Sequence, residues 1–128
     1  MIGKDTRILI ADDSQVVRKN TLLYLKNLGF SELREAWDGE SALLKIFDAF
    51  EEGKPFGLIF CDMTMPRMSG KDVLTRLRRD DRFQQLPFVF ITALGKEDDI
   101  KKAMDYGANK CLIKPYTENQ IATLLEEI

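Results

Sequence analysis

Short apolar runs alternate with amphipathic segments along the whole chain. The apolar runs have the length of buried strands, and the segments between them place apolar residues three and four positions apart, as on one face of a helix. The predicted strands cover residues 7–11, 33–37, 57–61, 87–91 and 110–113. The alternation therefore predicts five βα units in a row, without a repeat, a linker or a low-complexity segment.

The predicted helices have apolar stripes, and several have marked ends. Asp38 and Thr117 stand where N-cap residues are expected, and Thr117 has a capping-box partner in Gln120. Gly29 and Gly107 follow the first and fourth helices as stop signals. The core positions expected on the five helices are Val17, Thr21, Leu25 and Leu28; Ala42, Leu43, Ile46, Phe47 and Phe50; Val73, Leu74 and Leu77; Ile100, Ala103 and Met104; and Ile121, Leu124, Leu125 and Ile128.

The strand–helix alternation predicts an α/β fold with a parallel sheet that is covered by helices on both faces. Right-handed crossovers and the size of the chain favour an open, doubly wound sheet over a closed barrel. We therefore expect a flavodoxin-like (βα)5 three-layer sandwich with five strands in the order 2-1-3-4-5. Residues 1–128 are expected to form this single domain, with no output domain in the chain.

The composition is that of an ordinary globular domain: of 128 residues, 45% are apolar and 31% charged, and the net charge is −2. This balance predicts no binding to nucleic acid or to a membrane, and no apolar run approaches the roughly 20 residues of a membrane span. Cys61 and Cys111 stand in strand-like runs, which predicts buried, reduced thiols in a cytoplasmic protein. The chain has no histidine, so its chemistry has to use carboxylates, hydroxyls, lysines or metal ions.

Besides Asp38, the expected helix cap after the second strand, polar residues stand directly after each of the other four predicted strands. Asp12 and Asp13 follow the first strand, Asp62 the third, Thr92 the fourth and Lys114 the fifth. Taken one at a time, each has an ordinary structural interpretation as a helix cap, a turn residue or a solvated lysine. In the expected strand order, however, they all lie at the carboxyl edge of the sheet, where open parallel sheets bind ligands.

Three carboxylates at one site repel each other, and burial increases the repulsion. A divalent cation removes this conflict, and Mg²⁺ prefers hard oxygen ligands such as carboxylates, water and phosphate oxygens. An acidic cluster beside a lysine and a threonine therefore predicts a site for Mg²⁺ and a phosphoryl group.

These residues resemble the receiver domains of bacterial response regulators, CheY-like in size, and the resemblance extends over almost the whole chain. Each motif that carries it is short, but the motifs occur in the family's order and each stands at its own strand end. They are Asp12-Asp13, Asp62, Met65-Pro66 with Gly70, Thr92-Ala93, Gly107-Ala108 and Lys114-Pro115.

The resemblance implies a phosphoacceptor switch of a two-component or phosphorelay system. Asp62 would accept a phosphoryl group from a partner phosphohistidine. Asp13, Asp62 and the backbone carbonyl of Thr64 would ligate Mg²⁺ directly, and Asp12 would act mainly through a coordinating water. Mn²⁺ would be able to substitute for Mg²⁺. The protein would not be an enzyme beyond catalysing its own phosphorylation and dephosphorylation.

The resemblance also implies a route for the signal. Lys114 would contact a phosphoryl oxygen, and its peptide bond to Pro115 would be cis. The hydroxyl of Thr92 would move towards the phosphoryl group and change the face formed by the fourth helix, the fifth strand and the fifth helix. A histidine kinase or a histidine phosphotransfer protein would dock near Val16 and Val17, and an unknown output protein would bind the altered face of a monomer or of a phosphorylation-dependent dimer.

Two positions modify these expectations. The family commonly has Tyr or Phe three residues before the lysine, where the aromatic ring changes rotamer on activation, but this chain has Cys111. The switch would therefore consist of Thr92 with Cys111 in place of the aromatic residue. Thr64 and Leu94 flank the site without offering an acid or an amide to orient water, which predicts slow self-dephosphorylation.

Three other functions fit parts of the pattern. A non-phosphorylated pseudo-receiver would have the same fold, although such domains usually lose one of the site residues. A phosphatase of the haloacid-dehalogenase type also has an aspartyl nucleophile, but it expects a second Asp where this chain has Thr64. An FMN-binding flavodoxin would need a hydroxyl- and glycine-rich loop after the first strand, and Asp12-Asp13 has the wrong charge for it.

Overall fold

A parallel sheet forms the centre of the computed structural model, which describes residues 2–93 and 97–128, with the backbone alone for 97–99. The strands are β1 (Ile8–Ala11), β2 (Leu33–Ala36), β3 (Leu58–Asp62), β4 (Phe88–Thr92) and β5 (Lys110–Ile113). The helices are α1 (Gln15–Asn27), α2 (Gly39–Glu51), α3 (Gly70–Arg78), α4 (Glu97–Asp105) and α5 (Glu118–Glu126), and a short 3₁₀ helix, Asp81–Phe83, follows α3. No helix within these described parts is long and apolar enough to cross a bilayer.

The strand order is β2-β1-β3-β4-β5 and every neighbouring pair is parallel, which confirms the predicted α/β architecture. The strand register determines which residues are neighbours at the carboxyl edge of the sheet. Ala11 of β1 lies opposite Cys61 of β3, so the next residues, Asp12 and Asp62, are neighbours. β3 and β4 extend one residue further than predicted, so Asp62 and Thr92 are the last residues of their strands.

The sheet separates two apolar cores, and successive residues of β1 belong to opposite ones. Leu9 and Ala11 pack with α2 and α3, whereas Ile8 and Ile10 pack with α1 and α5. Burial on both faces explains why the central strands are continuously apolar rather than alternating. Each fully buried Leu or Ile side chain contributes roughly 1.5–3 kcal/mol of transfer free energy, so the two cores stabilise the sheet whose strand ends carry the polar residues.

Three predicted core positions are corrected by the structure. Met104 is 39% exposed, because its neighbour Ala103 is the residue that α4 turns into the core. Phe50 is also exposed at the end of α2, where it meets Phe83 edge-on, and Ala49 is buried instead. The prediction of two buried thiols holds for Cys61 but is wrong for Cys111, which is only partly buried on the edge strand β5.

The end of β2 differs slightly from the prediction. The strand stops at Ala36, and Trp37 lies beyond it as an exposed side chain with the Lys45 ammonium 5.3 Å from its ring centroid. Asp38 then caps α2 by accepting a hydrogen bond from the Ser41 amide, as predicted. The start of α2 is thereby placed at the same edge of the sheet as the ends of β1 and β3.

Candidate functional site

Three carboxylates meet at the carboxyl edge of the sheet. One oxygen from each of Asp12, Asp13 and Asp62 lies within 4.8 Å of the other two. Asp12 is 0% and Asp62 6% exposed, whereas Asp13 faces solvent. The sequence predicted this cluster, and the pairing of β1 with β3 is what forms it.

A lysine from the far side of the sheet completes the cluster. The Lys114 ammonium donates a hydrogen bond of 2.9 Å to Asp62 Oδ2 and lies 3.1 Å from Asp12 Oδ2. The backbone of Lys114 is held at the end of β4, because its amide donates to the Thr92 carbonyl at 2.8 Å. The Lys114–Pro115 peptide bond is cis, as the resemblance implied.

Backbone amides fix the remaining oxygens of the two buried carboxylates. Asp12 Oδ1 accepts from the amide of Ser14 at 2.8 Å, and Asp62 Oδ1 accepts from the amide of Thr64 at 3.1 Å. Arg18 of α1 donates to the Asp12 backbone carbonyl at 2.8 Å, which ties this residue to the helix that follows it. The carboxylates are therefore held in place before any ligand binds.

Burial and charge act on the titrating groups in opposite directions. Burial, helped by the nearby charge of Asp12, raises the pKa of the Asp62 carboxyl above its ordinary value, against the lowering effect of the bonds from Lys114 and Thr64. Burial acts to lower the pKa of Lys114, but its contacts with Asp62 and Asp12 outweigh this and raise it. The lysine therefore stays charged between the two carboxylates at neutral pH.

The residues fit a divalent cation. Three carboxylates face one ammonium, so an added dication would balance the charge. Asp12 Oδ2 is buried, and apart from its 3.1 Å ion pair with the Lys114 ammonium it has no hydrogen-bond partner in the part of the chain that the structure describes, which leaves it able to face an ion or an ion-bound water. A donor set made only of oxygens suits Mg²⁺ or Mn²⁺ rather than a softer metal.

The glycine at the start of α3 is a functional position that the sequence indicated only as part of a motif. A Cβ atom at Gly70 would lie 2.1 Å from the carbonyl oxygen of Asp62, far closer than any real contact. The Gly70 amide also donates to the Met63 carbonyl at 3.0 Å. The first residue of α3 therefore packs directly against the backbone of Asp62.

The sequence matches the response regulator receiver domain family over residues 8–126. The chain belongs to this family. It is 34% identical over 128 residues to the chemotaxis protein CheY-3 of Vibrio cholerae, a match that covers 100% of this chain and 95% of the relative. It is also 34% identical over 122 residues to CheY of Pseudomonas aeruginosa, with 95% of this chain and 94% of the relative covered.

Solved structures share the fold. The CheX–CheY–BeF3–Mg²⁺ complex of Borrelia burgdorferi matches with a TM-score of 0.85 and 27% identity, covering 95% of this chain and 87% of that one. The CheY4 protein of Vibrio cholerae matches with a TM-score of 0.85 and 25% identity, covering 97% and 98%. The chain is thus a CheY-like receiver domain of two-component signalling.

The residues expected to form the switch of this receiver domain stand on the neighbouring strands β4 and β5, two register positions apart. Thr92 is buried at the end of β4, and its carbonyl holds Lys114. Cys111 lies opposite Phe90 in the register, packs against the core on the side of the sheet that carries Ala103 of α4, and has a thiol pKa that burial raises. Leu94, which the dephosphorylation prediction involves, lies outside the described residues.

The sequence did not single out the surroundings of Asp38. This residue was predicted only as a helix cap, yet its buried carboxylate also lies 3.6 Å from the guanidinium of Arg67 in the loop after Asp62. A signal was available, because Asp38 follows β2 at the same sheet edge as the acidic cluster. The sequence did not indicate, however, that the loop after Asp62 comes back into contact with Asp38.

Proposed function

We propose that this receiver domain takes a phosphoryl group onto Asp62 from the phosphohistidine of a histidine kinase or a histidine phosphotransfer protein, with Mg²⁺ bound by Asp12, Asp13, Asp62 and the Thr64 carbonyl. The observation that carries the proposal is the pairing of the buried Asp62 carboxylate with Lys114 inside an acidic cluster. A structural ion pair would need one carboxylate for one lysine, whereas this arrangement has an excess of negative charge.

In the proposed step, a carboxylate oxygen of Asp62 attacks phosphorus and forms an acyl phosphate. The bond between phosphorus and the imidazole nitrogen breaks, and the imidazole keeps the electron pair and takes a proton from solvent. Lys114, which contacts Asp62 Oδ2, transfers its hydrogen bond to a phosphoryl oxygen. Bound Mg²⁺ supplies positive charge that offsets the repulsion between the anionic carboxylate and the anionic donor.

The surroundings of the site support a protein as the phosphoryl donor. Val16 in the first turn of α1 is 70% exposed, next to the acidic cluster, and offers an apolar contact for a docking partner.

The Borrelia burgdorferi relative was solved with CheX, BeF3 and Mg²⁺. Carboxylate and carbonyl oxygens would also accept Mn²⁺ in place of Mg²⁺.

We further propose that phosphorylation acts through Thr92 on the face formed by α4, β5 and α5, which an output protein of unknown identity would bind. The hydroxyl of Thr92 stands at the end of β4, beside the strand that carries Asp62. The phosphoryl group provides strong acceptor oxygens that can attract a hydroxyl group. In this proposal the protein acts only on itself and is not an enzyme for other substrates.

The decisive experiment is phosphorylation by acetyl phosphate with Mg²⁺, followed by intact-protein mass spectrometry. Wild type and Asp48→Asn, a control on the exposed face of α2, should each gain one phosphoryl group. Asp62→Asn should gain none, and a chelator should abolish the reaction in wild type. An unmodified wild type would favour the pseudo-receiver, and continuous release of phosphate well beyond one equivalent would favour the phosphatase.

A further inference from the structure

The loop between β3 and α3 connects the acidic cluster to a helix outside it. The loop begins next to Asp62, carries Thr64, and places Met65 as a buried side chain in the core. Its first residue is fixed to β4, because the Met63 amide donates to the Ile91 carbonyl at 2.9 Å. Its second half rests on the first turn of α2.

The contact with α2 is made by backbone and requires a glycine. A Cβ atom on Gly39 would lie 2.1 Å from the carbonyl oxygen of Met68 and 2.6 Å from its Cβ. Neither atom belongs to the flexible end of a side chain, so any larger residue at position 39 would have to move the loop or the helix. Gly39 therefore determines how closely the loop approaches α2.

Beside this glycine, a contact between charged groups links α2 to a loop residue with an unusual backbone conformation. Arg67 has φ of +69°, which few residues other than glycine adopt, and the Met68 amide donates across it to the Pro66 carbonyl at 2.7 Å. The Arg67 guanidinium lies 3.6 Å from Asp38 Oδ2. The side chain of Asp38 is buried, and its other oxygen accepts from the Ser41 amide at 2.7 Å.

We propose that Asp38 and Gly39 are positioning residues for metal binding: they seat the β3–α3 loop, and through it the Thr64 carbonyl, beside Asp12, Asp13 and Asp62. The proposal rests on the proposed function, since it assumes that this cluster binds Mg²⁺. Neither residue contacts the ion in this arrangement. Both act through Arg67 and Met68, so α2 becomes part of the support of the metal site.

The test is a Mn²⁺ titration followed by electron paramagnetic resonance, with competition by Mg²⁺, on the full chain. Gly39→Ala should weaken Mn²⁺ binding by about tenfold, the scale on which supporting contacts act on metal sites. The matched control is Gly53→Ala at the other end of α2, where φ is +77° and nothing lies within 4 Å of an added Cβ. The control loses stability through backbone strain but should keep the affinity of wild type.

A kinetic readout separates positioning from general damage. Gly39→Ala should need more Mg²⁺ for half-maximal phosphorylation by acetyl phosphate, while its rate at saturating Mg²⁺ stays close to that of wild type. Asp38→Asn keeps a good helix cap but loses the charge, so it tests the contact with Arg67 alone. Asp38→Asn and Arg67→Ala should each weaken Mn²⁺ binding, and the double variant should be no weaker than either single one.

The outcomes distinguish the two proposals. If wild type binds no Mn²⁺ and is not phosphorylated, the proposed function fails and this inference fails with it. If wild type does both, and Gly39→Ala and Asp38→Asn bind Mn²⁺ as tightly as wild type, only the positioning role is overturned. An equal loss of affinity in Gly53→Ala would also overturn it. Should Gly39→Ala not fold, the Asp38 and Arg67 variants alone decide.

Discussion

Lys114 donates a 2.9 Å hydrogen bond to Asp62 from the end of β5, a strand separated from β3 by β4. The lysine therefore crosses the width of β4 to reach the carboxylate. The same ammonium lies 3.1 Å from Asp12, so it partly offsets the repulsion between the two buried acids. Lys114 therefore contacts the carboxylate on which the proposed phosphoryl transfer takes place.

Replacing this lysine tests its contribution to phosphoryl transfer. We expect Lys114→Ala to slow phosphorylation by acetyl phosphate by about 10²-fold, the effect of removing one preorganised donor from a charged transition state. Lys110→Ala is the matched control, because Lys110 is the first residue of β5, the strand that Lys114 follows, but pairs with Glu127 at the surface. Time courses of intact-protein mass at saturating Mg²⁺ provide the rates. Equal rates for the two variants would contradict the role of Lys114.

The glycine behind Asp62 should tolerate no side chain. Gly70→Ala should lower the free energy of unfolding by about 1–3 kcal/mol, because the new Cβ meets the Asp62 backbone, which cannot rotate away. It should also slow phosphorylation. Gly57→Ala is the control: its Cβ would lie 2.8 Å from Thr6 Cγ2, the end of a side chain that can turn. Urea denaturation measures both variants, and a Gly70→Ala no less stable than Gly57→Ala would disagree with the structure.

A buried hydroxyl pair joins α1 to the segment after Lys114-Pro115. The Tyr116 hydroxyl donates to Thr21 Oγ1, which itself donates to the Val17 carbonyl, and burial raises the pKa of Tyr116 to about 12. Thr21→Val should cost about 1–3 kcal/mol, because it leaves a buried phenol without its partner.

Tyr116→Phe should cost less than Thr21→Val, because Thr21 keeps its bond to Val17. The double variant should be close to Tyr116→Phe alone. Urea unfolding of the two single variants and the double variant measures these changes in the free energy of unfolding. If the change in the double variant equals the sum of the two single changes, the hydroxyl pair contributes nothing to stability.

Asp38 should make the stability of the protein depend on pH. The hydrogen bond from the Ser41 amide lowers the pKa of this carboxyl, and the charge of Arg67 adds to the effect. A pKa lowered by folding stabilises the protein above the unfolded value of about 4, and this stabilisation is lost as the pH falls through the folded value.

Wild type should therefore be more stable than Asp38→Asn at neutral pH, and the difference should shrink as the pH falls below about 4. Urea denaturation over a pH series measures this difference, in which the titration of other carboxyls largely cancels. A difference that stays constant down to about pH 3 would assign the effect of Asp38 to something other than its charge.

The acyl phosphate should be long-lived in the absence of a partner. Thr64 is exposed beside the site and has neither an acid nor an amide group to orient an attacking water. Once acetyl phosphate is removed, loss of the phosphoryl group in Mg²⁺ buffer should take minutes or longer. Thr64→Gln should shorten the lifetime of the acyl phosphate. Mass spectrometry gives the decay, and a half-life of seconds in wild type would refute the expectation.

The fold and the cluster of charged residues could be predicted because both follow from simple regularities. Continuous apolar runs such as 57–61 indicate strands buried on both faces. Parallel strands bring their carboxyl ends together, so Asp12, Asp62 and Lys114 could be placed at one edge before their distances were known. These features depend on the order of the elements and hardly on side-chain detail.

The features that could not be predicted depend on irregular backbone conformation or on how far helices cover a strand. Whether Cys111 is buried depends on how completely α4 and α5 cover the edge strand, which a strand-like sequence does not reveal. The spacing of apolar residues predicted both Ala103 and Met104 as core positions, but adjacent helix residues point in different directions and only Ala103 is buried. The contact between Asp38 and Arg67 arises from a loop with a left-handed residue, for which the sequence offers no glycine as a signal.

Trp37 is the only tryptophan in the chain, and it stands immediately before Asp38, exposed and with the Lys45 ammonium 5.3 Å from its ring. The tryptophan fluorescence of the protein therefore originates at the junction of β2 and α2, next to the residue that contacts the loop after Asp62. Displacement of α2 would change the surroundings of this single indole. The molecule thus contains its own optical reporter for that junction, and no dye has to be attached to follow it.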